Sequence, residues 1–284
     1  MKKLIFIILL TISYSTLAQT SKYKIEGEVI GLQDTEVILA YYFGGKQYAT
    51  DTAIVTNGRF TFEGNKTLKG GMYLVVLSEN QYFDIIISEQ HFSFSTELNN
   101  LIGAMTFKNS QENPPFYEYL NFIMKMQKQV TPIRKQLENA TGETKKSLEF
   151  KVQKIDEQVK AYRADFLNKN SNKFFSKIIL ATTDPEIPEA PIDSTGNPDK
   201  NFAFRFYKKH FWDNIDFSDE RMLRTPVFFS KMEQYLEKLT VKHPDSINIS
   251  ADILVEKSRA NDEIFQYVVS YITSTYERSK IMGM

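Results

Sequence analysis

The sequence has 284 residues, with 35 basic side chains, 35 acidic side chains and no cysteine. That length suits one large or two modest domains, each able to bury a core. The missing cysteine excludes disulfides, thiol redox chemistry and cysteine-ligated metal within the chain, and the balanced charge gives no strong electrostatic drive toward nucleic acid.

Residues 1–18 read as a secretory signal peptide. Lys2 and Lys3 form a basic n-region, Leu4 to Ile12 an apolar core, and Thr16-Leu17-Ala18 a small-residue cleavage site before Gln19. The apolar run is well short of the ~20 residues that a spanning helix needs. No cysteine follows Ala18, so no lipid-anchored form is expected. The expectation is cleavage near Ala18 and a soluble product, periplasmic or otherwise exported, without a membrane span; a retained N-terminal anchor is the alternative. Removing Lys2 and Lys3 leaves 33 basic against 35 acidic side chains, a net of −2.

From Tyr23 to about Phe107 the signals are those of strands. Ile25, Gly27 and Val29 alternate with Lys24, Glu26 and Glu28, which predicts a half-buried strand with one solvated face. Val37 to Phe43 is more fully apolar and ends at Gly44-Gly45. Thr52 to Thr56 and Arg59 to Glu63 flank Asn57-Gly58, the strongest short hairpin signal, because a type I′ turn needs positive φ at both positions. Met72 to Leu77, Tyr82 to Ile87 and Phe92 to Thr96 follow. About seven short strands with no helical pattern between them predict an antiparallel β-sandwich-like domain over 22–108.

The chain changes character at Asn113-Pro114-Pro115, and 114–284 reads as an all-α helical domain, so the fold class is α+β. Phe116 to Val130 predicts a helix that Thr131-Pro132 either kinks or follows with a new cap. Leu148, Val152, Ile155, Val159, Tyr162 and Phe166 alternate steps of four and three, an a/d seam expected to close an antiparallel helical hairpin. A third helix near Lys173 to Ala181 runs into a proline-rich loop near 184–200, holding Pro185, Pro188, Pro191 and Pro198; it is either an exposed loop or a linker between two helical halves.

Phe202 to Leu239 is the aromatic centre of this half and holds the only tryptophan, Trp212. Phe202, Phe206, Tyr207 and Phe211 share a helical face. Ser218 is the expected N-cap after the acidic turn, with Asp219 and Glu220 in the first turn, and Thr225-Pro226 caps the next helix, which carries Phe228, Met232, Tyr235, Leu236 and Leu239. His243-Pro244 predicts a turn, Ile249 to Ser258 a short helix, and Asn261 the cap of a last helix through Tyr276. The apolar residues of that last helix, Ile264, Phe265, Val268, Val269, Tyr271 and Ile272, cover so much of its circumference that a covering partner or self-association is expected.

No residue is assigned a catalytic, cofactor-binding or metal-binding role. His91, His210 and His243 are far apart and lack metal-ligand spacing, and are expected to be structural or surface residues. Asp213, Asp216, Asp219 and Glu220 lack the alternation and central glycine of a calcium loop, so capping is the better reading. Gly44-Gly45-Lys46 lacks the remainder of a phosphate loop and reads as a hairpin connection. No G-x-S-x-G elbow supports a hydrolase. Tyr41, Tyr42, Tyr73 and Tyr82 serve either the core or a sugar- or peptide-binding face.

Four stretches carry a resemblance. KIEGEVIGLQDTEVILAYY and DTAIVTNGRFTFEG resemble the N-terminal β domain of exported thioredoxin-like thiol–disulfide interchange proteins. HFWDNIDFSDERMLRTPVF and YITSTYERSKIMGM are similar to the uncharacterised helical domain that follows it in those proteins. The resemblance spans the mature chain and implies a downstream thioredoxin-like domain with a Cys-x-x-Cys pair. No cysteine lies in these 284 residues, so no catalytic residue carries over. The expected role is that of a non-catalytic N-terminal region of an envelope thiol–disulfide oxidoreductase, docking or positioning a redox domain or client protein. The alternative is a free-standing periplasmic peptide- or glycan-binding module. Neither reading calls for a cofactor, an enzymatic activity or a nucleic-acid partner.

Overall fold

The computed structural model describes residues 21–192 and 196–278; the expected signal segment and the closing Ser279 to Met284 lie outside them. The fold is α+β, two packed sheets followed by helices. The strands are β1 (Tyr23–Ile30), β2 (Glu36–Phe43), β3 (Lys46–Ile54), β4 (Arg59–Gly64), β5 (Gly71–Ser78), β6 (Gln81–Ile87), β7 (His91–Glu97) and β8 (Thr106–Lys108). They form two four-stranded sheets, ordered β4-β1-β7-β8 and β3-β2-β5-β6. Alternate residues of β1, Tyr23, Ile25 and Val29, face inward, where they meet Val37 and Leu39 of β2, Phe62 of β4, Val75 of β5 and Ile85 of β6. The short β8 brings the total among the described residues to eight, one beyond the roughly seven expected, because Thr106 to Lys108 pairs with β7.

Two features depart from a simple antiparallel meander. β1 pairs parallel with β7, whereas its other neighbour, β4, is antiparallel. Asn57 (φ 53°) and Gly58 (φ 76°) do adopt the positive φ values of the expected type I′ turn, and Thr56 pairs with Arg59 across it. The turn nevertheless does not join two strands of one sheet. β3 belongs with β2 and β4 with β1, so the turn carries the chain from one sheet to the other.

The helices are α1 (Asn113–Leu137), α2 (Gly142–Lys169), α3 (Phe174–Ala181), α4 (Phe202–His210), α5 (Pro226–Glu233), α6 (Pro244–Ser258) and α7 (Asp262–Tyr276). α1 does not stop at Val130 but runs through Pro132. The proline lies on the exposed side, where water can take the carbonyl it leaves unpaired, and Thr131 Oγ1 donates to Gln127 O at 2.7 Å in the same turn. Leu148, Ile155 and Phe166 of α2 are buried and Val152, Val159 and Tyr162 half-buried, so the seam packs on α1 as expected; Phe122 and Tyr162 stack at 3.7 Å between centroids. Asp219, not Ser218, caps the short 3-10 turn Glu220–Arg224: its carboxylate accepts from Arg221 N, while Ser218 donates to Asp216. Thr225 and Asn261 cap α5 and α7 as expected. α6 starts at Pro244, earlier than the periodicity suggested, because proline suits the first helical position.

The helices pack on the outer face of the β3-β2-β5-β6 sheet, and Met72 and Ile86 of that sheet belong to the helical core around Trp212, Met222 and Tyr235. Polar residues fix the junction. Asn113, fully buried, accepts from Ile86 N and donates to Ile86 O, both at 2.8 Å, so its amide acts as an extra strand residue along the β6 edge. Tyr117 adds a bond to Asp84 O at 2.8 Å. Glu112, also buried, accepts from Phe174 N with both oxygens (3.1 and 2.9 Å) and so caps α3. The Gly44-Gly45 tip of the β2–β3 hairpin inserts between α5 and α7. A Cβ on Gly44 (φ 60°) would lie 2.0 Å from the Tyr267 hydroxyl, and one on Gly45 2.6 Å from the Phe229 ring. Among the described residues no helix is long and apolar enough to cross a membrane.

Candidate functional site

The strongest candidate is a cleft of about 610 Å³ at the open end of the sandwich, where the β4–β5 loop faces the start of α7. Its walls are aromatic: Tyr23 from β1, Tyr41 and Phe43 from β2, and Tyr73 from β5. Tyr41 stacks on Tyr48 at 5.7 Å and lies 5.8 Å from Tyr73, and Tyr48 leaves 42% of its surface exposed. The exposed Tyr48 stacked on the half-buried Tyr41 offers a flat apolar contact with polar edges.

The roof of the cleft is held in place. Tyr73 Oη donates to Lys69 O at 2.7 Å, and Gln90 grips Leu68 on both sides, accepting from its N (2.9 Å) and donating to its O (3.1 Å). Tyr23 Oη donates to Asp51 Oδ2 at 2.7 Å, tying the first sheet to the second across the mouth. Burial pushes the Tyr73 hydroxyl up to about 12, and burial with the Asp51 carboxylate raises Tyr23 as well, so both are neutral donors at neutral pH. The register of β2 and β3 shifts so that Leu39 faces Asp51 and Ala40 faces Ala49, which bulges Thr50 into the cleft wall.

The floor is ionic. Arg224, with only 4% of its side chain exposed, pairs with Glu263, which also takes Lys69 at 2.9 Å. Burial opposes ionisation of Glu263, but the bonds from Lys69 and Arg224 outweigh it and hold its carboxyl below the usual range. Gly71 (φ 146°) lets the backbone close onto Arg224, since a Cβ there would lie 2.4 Å from the arginine Cβ.

Of the tyrosines singled out from sequence, Tyr41 and Tyr73 meet in the cleft. Tyr42 donates to Asp84 at 3.2 Å, and Tyr82 is an exposed edge residue; neither lines it. Of the other lining residues, Tyr23, Lys66, Lys69, Arg224 and Glu263 are not distinguished by the sequence. The available signal was the polar, glycine-bounded segment Gly64 to Gly71 between two strands, which is where binding loops tend to sit. A second cavity, of about 530 Å³, lies on the β4-β1-β7-β8 sheet and includes Ser93, Ser95 and Thr61. There Glu28 already takes Arg59 at 2.9 Å and Ser95 Oγ at 3.3 Å.

The residues weighed for metal stand apart. His210 contacts Asp213 at 2.6 Å, His243 lies 3.7 Å from Asp245, and His91 is exposed at the start of β7. Asp216 and Asp219 both contact Lys177 at 2.7 Å, and Asp219 also takes Arg221. Burial opposes its charge, but Arg221 and Lys177 outweigh that and lower Asp219 to about 2. Gly44-Gly45 is the two-residue β2–β3 connection.

Residues 23–116 match the family described as a domain of unknown function, DUF4369, and residues 136–284 match a second, DUF5106. No curated protein and no solved structure matches the chain. The second match spans more than half of the sequence and takes in Arg224 and Glu263, so the chain belongs to the DUF5106 family and carries a DUF4369 domain ahead of it.

Proposed function

We propose that this chain is a non-catalytic recognition unit of the cell envelope that holds a segment of polypeptide at the sandwich mouth and positions it for a thioredoxin-like partner. The observation that supports it is the cleft, aromatic-walled, built at the seam of the two halves, and held by bonds from Gln90, Tyr73 and Tyr23. Sites of this kind, apolar with a few convergent polar groups, occur preferentially at such seams. The thioredoxin-like partner and the exported location rest on the resemblance and on the N-terminal signal pattern. The lack of any thiolate nucleophile supports a non-catalytic role in disulfide exchange.

Panning a random peptide library on the mature chain tests this, with counter-selection on the Tyr41→Ala/Tyr48→Ala variant. Enriched peptides are expected to lose about tenfold in affinity on the variant, since two aromatic contacts contribute ~1–3 kcal/mol. Failure to enrich, or equal binding to both proteins, would refute the assignment. In a parallel assay the chain alone should reduce insulin no faster than the thiol buffer, and a faster rate would refute the non-catalytic role.

A further inference from the structure

Three cations line the cleft, Lys66, Lys69 and Arg224, against one anion, Glu263. Glu263 already serves both Arg224 and Lys69. Asp51, at the mouth, is engaged by the Tyr23 hydroxyl. Lys66 and Lys69 are exposed at the roof, and a second carboxylate there would complete the neutralisation that Glu263 begins. A cleft with low-dielectric walls concentrates such a field on whatever enters it.

We propose that the floor and roof of this cleft form a carboxylate subsite, which takes an acidic side chain or a free C-terminal carboxylate of an extended polypeptide between Lys66 and Lys69. The proposal rests on the recognition reading above and names its ligand chemistry. A polypeptide fits the surroundings better than a glycan. β3 is an edge strand, its bulged Thr50 lines the cleft, and an extended chain can offer main-chain groups to that edge while its carboxylate reaches the lysines. Tyr41 and Tyr48, stacked on each other, then lie where a neighbouring side chain would pack.

Three acetylated tetrapeptides of the form tyrosine–valine–threonine–X test this, X being glutamate amide, glutamine amide or glutamine with a free terminal carboxylate. Each is titrated into the ¹⁵N-labelled mature chain while the backbone amides of Lys66 to Lys69 are followed. At low salt at least one carboxylate form is expected to bind about fivefold or more tighter than the neutral amide. Which form does so identifies the side chain or the terminus as the source. The preference should shrink as salt rises, disappear in Lys66→Gln/Lys69→Gln, and persist in Lys66→Arg/Lys69→Arg. Both positions are exposed, and an unchanged melting temperature separates lost binding from lost folding. Equal binding of all three peptides would overturn the carboxylate subsite and leave the recognition cleft standing. No binding by any peptide would overturn both. Larger shifts of the same amides with a uronic acid than with any peptide would overturn the polypeptide assignment.

Discussion

Replacing Asn113 by Ala tests the junction between the two halves at its most exposed assumption, that a single side chain completes the β6 edge. The Asn113 amide is fully buried and makes two bonds of 2.8 Å to the main chain of Ile86, itself fully buried. Each net bond contributes about 1 kcal/mol, and each buried main-chain group left unpaired costs a further ~1–3 kcal/mol. If water reaches neither group the loss is roughly 4–8 kcal/mol, and if it reaches both the loss is about 2 kcal/mol. Against a domain stability of about 5–15 kcal/mol, either is a large fraction. Urea unfolding followed by circular dichroism reads the change directly, as a lower midpoint at unchanged slope. Asn113→Asp sharpens the test. It keeps an acceptor for Ile86 N but sets a carboxylate against Ile86 O. Its folded pKa is therefore raised, so the penalty is full above that pKa and fades as pH falls toward the unfolded value, where the protonated acid can donate to Ile86 O. A loss below about 1 kcal/mol in Asn113→Ala, with no pH dependence in Asn113→Asp, would refute the edge-completion argument.

Three other changes have defined outcomes. Burial raises Asp84 to about 6 from its ordinary 3.8 although Tyr42 donates to it; the native state holds that proton more tightly, so stability should rise as pH falls through this window. Asp84→Asn should abolish the dependence and add on the order of 2 kcal/mol at pH 8, measured by urea titration at several pH values. Ile155→Asp places a charge among Met126 and Val130 in the α1–α2 seam and should cost ~3–5 kcal/mol, and an unchanged melting temperature would contradict the packing. Gly44→Val drives a Cβ into Tyr267 at a position with φ 60° and should cost roughly 2–4 kcal/mol, part of which Tyr267→Ala recovers in the double variant.

Where a feature depends on neighbours a few residues away, the sequence was legible. The alternation of β1, the type I′ pair Asn57-Gly58, the a/d seam of α2, and the Thr225 and Asn261 caps all follow from local spacing and local hydrogen bonding. Features set by partners far along the chain were not. Glu112 caps a helix that begins at Phe174, and Arg224 finds its carboxylate at Glu263; nothing in their own neighbourhoods distinguishes them from solvated charges. The same limit hides the cleft. Tyr23, Tyr73, Arg224 and Glu263 come from four separate stretches, brought together by the sandwich core, by the Glu220–Arg224 turn against β5 and by the start of α7. At Pro132 local rules leave two outcomes open, a kinked helix or a new cap, and the helix runs on because an exposed face tolerates the lost bond.

The parallel pairing of β1 with β7 has a consequence for the order in which the molecule can be built. The second sheet is closed largely by near neighbours, the β2–β3 and β5–β6 hairpins, whereas β1 must wait for His91 to Glu97 before its second edge is filled. Closing so long a loop costs entropy before any contact compensates it, and pairings of this kind slow folding. The strand that emerges first is thus among the last to be completed. Until β7 arrives, Lys24 to Ile30 presents an unpaired edge with Ile25 and Val29 beside it, the segment most open to mispairing with another chain. The solvated face of that strand carries Lys24, Glu26 and Glu28, charges that discourage such contacts during the interval.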